Sequence, residues 1–311
     1  MSNSAGEGRT ETVLLTGGSG YIGGLMIPRL EQKEVHLRCL ARHPEELKAK
    51  VKPTTEVVAG DVLDSESLDR AMKGVHTAYY LIHLMSNSKE FEKEDREAAS
   101  TFARAAAGAG VRRIIYLGGL GDDANPDLSP HLRSRHEVGK ILRESGVETI
   151  EFRASVIIGR GSLSYDLVKT LTDRLPVMIT PSWLATPTQP IAVDDVLAYL
   201  LAARDLAAGE SRIFEIGGSD VVTYGDLIRR YARLKGLTRL LIPVPILTPY
   251  LSGLWLVLIT PAKFGVAQHL IEGLKNPTLV RSRDAADAFP SIHPISVDEA
   301  IRRAEGDSAK E

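Results

Sequence analysis

The chain has 311 residues, 43% hydrophobic and 25% charged, with a net charge of -2 at pH 7. That size accommodates one large α/β domain or a nucleotide domain with a smaller companion, and the near-neutral charge excludes a global basic field for nucleic acid or anionic lipid. A single cysteine, Cys39, in an apolar run excludes an internal disulfide.

Residues 1–11 are polar and lack an apolar core, so they read as a flexible start and not as a signal peptide. A cytoplasmic protein is the default expectation. The first strand follows at Thr12–Thr16 and runs into Thr16-Gly-Gly-Ser-Gly-Tyr-Ile-Gly-Gly24. Gly17, Gly20 and Gly23 fit T-G-x-x-G-x-x-G, and Gly18, Gly20 and Gly23 also fit G-x-G-x-x-G. Strand, glycine turn and helix in succession are the context in which such glycines carry chemistry. They permit a tight turn, leave the backbone bare where a diphosphate approaches, and let the helix pack closely on the strand. The anion then meets free amides and the positive end of the helix dipole. This turn predicts dinucleotide binding through Gly17, Gly18, Ser19, Gly20, Tyr21, Ile22 and Gly23.

Further strands are expected at Val35–Ala41, Glu56–Ala59, Thr77–Ile82, Arg113–Leu117 and Glu148–Arg153, with helices near 21–33, 44–50, 65–73, 90–109 and 131–145. The strands are apolar throughout, as in a parallel sheet covered on both faces. The alternation predicts an α/β, doubly wound parallel-sheet Rossmann fold. The second strand exits into Arg42-His43 with no acid at its end. An acid there would bond the 2′-hydroxyl of NAD, whereas arginine accommodates the 2′-phosphate of NADP. NADP(H) is therefore the preferred cofactor, with NAD(H) as the alternative.

After Gly159-Arg-Gly161 the rhythm changes. A helix near 163–174, a Pro/Thr-rich stretch over 180–190, a helix opening at Asp194 or Asp195, a strand at Arg212–Ile216 and a helix from Thr223 follow. The expected division is a Rossmann domain over 12–158 plus 189–218, a substrate-side lobe over 159–188 and 219–305, and a polar tail over 306–311. Residues 240–262 carry no charge, but prolines leave only 11 residues between Pro249 and Pro261. At ~1.5 Å per residue that run spans roughly 16 Å, too short for a bilayer core. Buried core or lid, dimer interface and peripheral membrane contact all stay open for this segment.

The landmarks Thr16-Gly-Gly-Ser-Gly-Tyr-Ile-Gly23, Gly60-Asp61-Val62, Tyr116-Leu-Gly-Gly119, Lys140, Arg153 and Gln189-Pro-Ile-Ala-Val-Asp-Asp195 together resemble the extended and atypical short-chain dehydrogenase/reductases. The stretches His131-Leu-Arg-Ser-Arg-His-Glu-Val-Gly-Lys140 and Pro243-Val-Pro-Ile-Leu-Thr-Pro249 resemble the NmrA-like NAD(P)H-binding branch, related to the dehydrogenase-like accessory subunit of respiratory complex I. The resemblance implies that Asp61 and Val62 border the adenine and that Leu81 and Ile82 lie along the adenosine half or the ribose. It also implies that Lys140 reaches the nicotinamide ribose and that Ser155, Val156 and Ile157 line the nicotinamide. Most of the superfamily uses a serine and a Tyr-x-x-x-Lys pair. Here the matching positions read His136-Glu-Val-Gly-Lys140, and Gly118-Gly119 stand where the serine is expected.

Three readings stay open at this point: His136 replaces tyrosine as general acid beside Lys140, the site has lost reductase chemistry, or another cleft residue works, with His83 the nearest candidate. The first makes the chain an oxidoreductase on a small apolar carbonyl or enone-type substrate; the second makes it a non-catalytic redox sensor or assembly protein. An epimerase or dehydratase ranks below both, since it needs the same hydride step. No metal site is expected, because His131 and His136 have no accompanying carboxylate or cysteine set.

Overall fold

A computed structural model describes residues 11–83, 91–243 and 274–306. Seven strands build an all-parallel sheet: β1 (Glu11–Thr16), β2 (Val35–Ala41), β3 (Glu56–Ala59), β4 (Thr77–Tyr80), β5 (Arg113–Gly119), β6 (Glu148–Ala154) and β8 (Arg212–Ile216). Their spatial order is β8-β6-β5-β4-β1-β2-β3. The chain runs outward from β1 to β3, returns across β1 to β4 and then proceeds to the other edge. This reversal is the topological switch point of a Rossmann fold, and it opens a crevice beyond the carboxyl ends of β1 and β4.

Helices α1 (Tyr21–Leu30), α2 (Pro44–Lys48), α3 (Ser65–Met72), α4 (Phe91–Gly108) and α5 (Pro130–Arg143) connect these strands in turn. Because β1 is covered on both sides, Val13 and Leu15 join one core cluster while Leu14 joins the other. All three are fully buried. Each such side chain contributes about 1.5–3 kcal/mol relative to an exposed one. On the first face lies α7 (Val193–Ala202), where Tyr79 Oη donates to the Leu200 carbonyl at 3.0 Å. The Arg113 guanidinium then closes the end of that region on the carbonyls of Ala203, Arg204 and Leu206. A cation there satisfies carbonyls that have no partner within the helix.

A third cluster collects Val156, Tyr165, Met178, Leu227, Tyr231 and Ile301 away from the sheet. It is built by α6 (Leu163–Arg174), α8 (Tyr224–Leu234) and α10 (Val297–Glu305), the last helix after the short α9 (Asp284–Ala288). Two short strands, β7 (Val177–Thr180) and β9 (Leu240–Pro243), pair in parallel at its margin.

Two expectations shift. The fourth strand stops at Tyr80 instead of Ile82, because Leu81 bends over the glycine turn. Of the uncharged segment, only residues 240–243 fall in a described strand, and 244–262 lie outside the described residues. Among the described residues, no helix is long and apolar enough to cross a membrane.

Candidate active site

The glycine turn shows why its residues have no side chains. Gly17 adopts φ 77°, and a Cβ on it would lie 2.4 Å from the Leu81 carbonyl oxygen. The turn closes with Gly20 N–H donating to the Gly17 carbonyl at 2.9 Å. Gly20 is the N-cap of α1 and offers no side-chain cap, so the first-turn amides keep their capacity for an anion. Gly18 packs below the turn, where a Cβ would sit 3.3 Å from Ile27 and Leu47.

A crevice of about 530 Å³ opens in front of this turn. Gly17, Ser19, Gly20, Tyr21 and Ile22 line one wall, Arg42 the end of β2, Asp61 and Val62 the exit from β3, and Leu81, Ile82 and His83 the exit from β4. Leu117, Gly118 and Gly119 of β5, His131 and Arg135 of α5, and Ser155 and Ile157 complete it. Volume, bare backbone and free helix amides fit a dinucleotide, with the α1 amides for its diphosphate. Gly18, Gly23 and Val156 do not line the crevice: the glycines support the turn from behind, and Val156 is buried in the third cluster.

Arg42 is exposed at the crevice edge, and none of the described ion pairs engages it. Asp61 Oδ1 accepts the Leu63 amide at 3.0 Å, while the neighbouring Asp64 caps α3 through the Glu66 amide at 3.1 Å. Helix capping therefore falls to Asp64 and leaves Asp61 at the crevice.

The helix α5 differs from expectation. His136 and Lys140 are not among the residues lining the crevice. The His136 ring is buried under the loop after β5, with Nε2 2.9 Å from the Gly119 carbonyl oxygen and Nδ1 2.6 Å from Asp123 Oδ1. Burial, reinforced by the Arg153 cation, holds this imidazole below its ordinary pKa. The Lys140 side chain is 67% exposed, with Nζ 3.8 Å from Glu144. The pair that faces the crevice at the same four-residue spacing is His131 and Arg135. Arg135 donates to the Ile82 carbonyl at 3.1 Å and to the Leu117 carbonyl, and its guanidinium lies 4.8 Å above the Tyr116 ring.

Packing sets this rotation. Gly139 lets α5 descend onto Glu151 of β6, since a Cβ there would lie 2.3 Å from the carboxylate. Glu151 is fully buried and held by Arg153 at 2.7 Å and by Arg143. Arg153 in turn reaches Asp123 at 2.7 Å. The network fixes which stripe of α5 faces the sheet.

Two groups form around residues already named, His83 and Ser155, through partners that the sequence does not announce: Asp95 and Ser134 for the first, Thr188 and Thr278 for the second. His83 Nδ1 stands 3.7 Å from Asp95 Oδ2, and the His83 and His131 rings meet edge-on at 4.8 Å between centroids. Ser134 Oγ donates to Asp95 at 2.8 Å. Burial acts to raise the Asp95 pKa, but the nearby His83 imidazole, the Ser134 hydrogen bond and the Arg135 charge outweigh it and hold the carboxyl below its usual range. The second group is a hydroxyl triad: Ser155 Oγ lies 2.6 Å from both Thr188 and Thr278 Oγ1, which are 2.9 Å apart. Three distant segments supply it, so no local signal announces it. Asp95 is one of four acids near the start of α4, with Glu92, Glu94 and Glu97, and nothing local sets it apart from the other three.

Residues 17–165, just under half of the chain, match the NAD(P)H-binding family. Over 232 residues the chain is 28% identical to (4-alkanoyl-5-oxo-2,5-dihydrofuran-3-yl)methyl phosphate reductase of Streptomyces griseus, covering 72% of this chain and 74% of that protein. It is 29% identical over 137 residues to cinnamoyl-CoA reductase 1 of Oryza sativa, covering 42% of this chain and 40% of that one. Among solved structures, triphenylmethane reductase of Citrobacter sp. complexed with NADP(H) superposes with a TM-score of 0.73 at 17% identity, over 94% of this chain and 99% of that one. An NADPH-dependent quinone oxidoreductase from Escherichia coli, complexed with NADPH, gives 0.74 at 18% identity over the same shares. At that identity the likeness speaks to the fold.

Proposed function

We propose that the chain is an NADP(H)-dependent oxidoreductase that reduces a small apolar carbonyl or enone. The observation that carries this reading is the crevice itself, which joins the bare amide turn and an acid-free Arg42 at one end to imidazoles at the other. The relatives named above as reductases support the same direction.

In this reading Gly17, Gly18, Ser19, Gly20, Tyr21, Ile22 and Gly23 form the diphosphate turn, and the Arg42 guanidinium pairs with the 2′-phosphate, which a carboxylate would repel. Asp61 and Val62 border the adenine, and Leu81 and Ile82 border the adenosine half. Ser155, held by Thr188 and Thr278, and the neighbouring Ile157 flank the nicotinamide end. Arg135 takes the place first expected for Lys140, because its side chain and not the lysine lines the crevice. The bound cofactor supplies a hydride; the protein supplies orientation, exclusion of water and a proton.

One observation favours a second reading, a non-catalytic NADP(H)-binding sensor or assembly protein. Gly118 and Gly119 present no hydroxyl to the crevice at the positions where the resemblance to short-chain dehydrogenase/reductases implies a serine. One experiment separates the two. NADPH raises the melting temperature under both, whereas oxidation of NADPH across a panel of apolar carbonyls and enones occurs only under the first. A failure of NADPH to raise the melting temperature overturns both.

A further inference from the structure

We propose that Ser155, held by Thr188 and Thr278, donates the proton to the substrate oxygen as the carbonyl carbon accepts a hydride. The assignment rests on the oxidoreductase reading. Ser155 lines the crevice, while Thr188 is fully buried behind it and Thr278 is 5% exposed. Three hydroxyls carry three hydrogens, and three oxygen–oxygen contacts compete for them. The two that end on Ser155 Oγ measure 2.6 Å, whereas the threonine oxygens stand 2.9 Å apart. A hydrogen in each short contact makes both threonines donors to Ser155. Both lone pairs of Ser155 Oγ are then filled, and its own hydrogen points away from the threonines into the crevice.

Tyr224 lies beside the same threonines. Burial pushes its hydroxyl up to about 12, so it stays protonated near neutrality and gives them a hydrogen that neither draws from Ser155. The strand register sets the place. Ala154 is the partner of Gly119 across β5 and β6, and the Leu120 amide donates to the Ala154 carbonyl at 2.9 Å. Ser155 therefore leaves β6 beside a position of β5 that carries no side chain. The other hydroxyls of the crevice wall, Ser19 and Tyr21, belong to the glycine turn. Both ring nitrogens of His83 are buried, and the Arg135 guanidinium is spent on the carbonyls of Ile82 and Leu117.

The step balances with water as the only further reactant. A hydride adds to the carbonyl carbon, and the C=O π pair moves onto oxygen. The Ser155 Oγ–H bond breaks and an O–H bond forms on that oxygen, so the carbonyl is reduced to an alcohol and the dihydronicotinamide is oxidised. The two threonine hydrogen bonds stabilise the serine oxyanion left behind, which makes Ser155 a better acid than an unassisted alcohol. Ser155 then regains a proton from water at the crevice mouth, and hydroxide leaves to solvent. Thr188 and Thr278 are positioning residues that touch neither substrate nor cofactor.

The test uses the full chain with NADPH and the fastest carbonyl from a panel of aldehydes, ketones and enones. Ser155→Ala lowers kcat by about 100-fold or more, the low end for a positioned proton transfer. Its KM for NADPH and its melting shift with NADPH stay as in the wild type. Thr188→Val and Thr278→Val keep the shape and remove one hydrogen bond to Ser155, and each lowers kcat by about 3–10-fold. In the Ser155→Ala background the same threonine variants leave kcat within about twofold, because their effect passes through the serine. A second readout needs no turnover: with NADP+ bound, the C=O stretching band of the bound carbonyl lies at lower wavenumber in the wild type than in Ser155→Ala. If Ser155→Ala fails to fold, the rate and the band in Thr188→Val carry the test. Full activity or an unmoved band in the variant overturns the donor and leaves the oxidoreductase reading standing. A lost melting shift in Ser155→Ala makes the serine a cofactor ligand and likewise overturns the donor. A wild type that reduces no carbonyl of the panel overturns the oxidoreductase reading and the donor with it.

Discussion

A methyl group placed on Gly23 would lie 2.1 Å from the carbonyl oxygen of Gly17, well inside any real contact. First turn of helix and end of strand therefore touch backbone to backbone. In Gly23→Ala the helix has to withdraw from the turn, at a cost of about 1–3 kcal/mol for overpacking of this kind. The expected result is a lower melting temperature together with loss of stabilisation by NADPH, read in one thermal-unfolding experiment with and without the dinucleotide.

Cofactor choice is expected to reside in Arg42. Arg42→Asp removes a charge-assisted hydrogen bond of about 1.5–3 kcal/mol and sets a carboxylate against the 2′-phosphate. Its Kd for NADPH rises by about 10–100-fold while that for NADH is not weakened, as measured by calorimetric titration of both. Equal affinities of the unsubstituted chain for the two cofactors would remove Arg42 from this role.

The ion network under α5 sets the crevice wall. Arg153 is 4% exposed, and its loss strips Glu151, fully buried, of its 2.7 Å partner. Breaking a buried pair from one side costs about 3–5 kcal/mol. Arg153→Leu is expected to lower the urea midpoint by a corresponding amount. A change below about 1 kcal/mol would mean that Arg143 alone suffices to hold Glu151.

A pH dependence is expected at the far end of the third cluster. Glu305 meets Lys169 at 2.6 Å, Lys235 at 3.2 Å and Tyr165 Oη at 3.1 Å. Burial acts to raise its pKa, but the hydrogen bonds from Lys169 and Lys235 dominate and hold it below the ordinary 4.5. A depressed folded-state value means that the unfolded chain binds the proton first as pH falls. The contribution is thus fully present above that ordinary value and is lost as pH drops through the folded one. Melting temperatures recorded from pH 7 to 3 should fall less steeply in Glu305→Gln than in the parent.

The doubly wound sheet was legible because its signals are local. Apolar strands, caps such as Asp64 and the glycine turn each act within a few residues. The exit of β2 into Arg42 was equally plain, and the structure carries that residue to the crevice edge. The end of β4 was misjudged by two residues, since what stops it is contact with Gly17 from another element.

The face of α5 was a different matter. His136 with Lys140 and His131 with Arg135 share one spacing, so spacing alone leaves the rotation of the helix open. The seat of Gly139 on Glu151 decides it, through a contact between residues brought together only by the sheet. Thr188 and Thr278 reach Ser155 in the same way, from 33 and 123 residues along the chain. The amino-acid order alone thus determined the fold and the diphosphate turn, whose causes are short-range backbone sterics and hydrophobic periodicity. Tertiary packing decided which imidazoles and hydroxyls face the crevice, because that orientation follows from long-range contacts that no local pattern encodes.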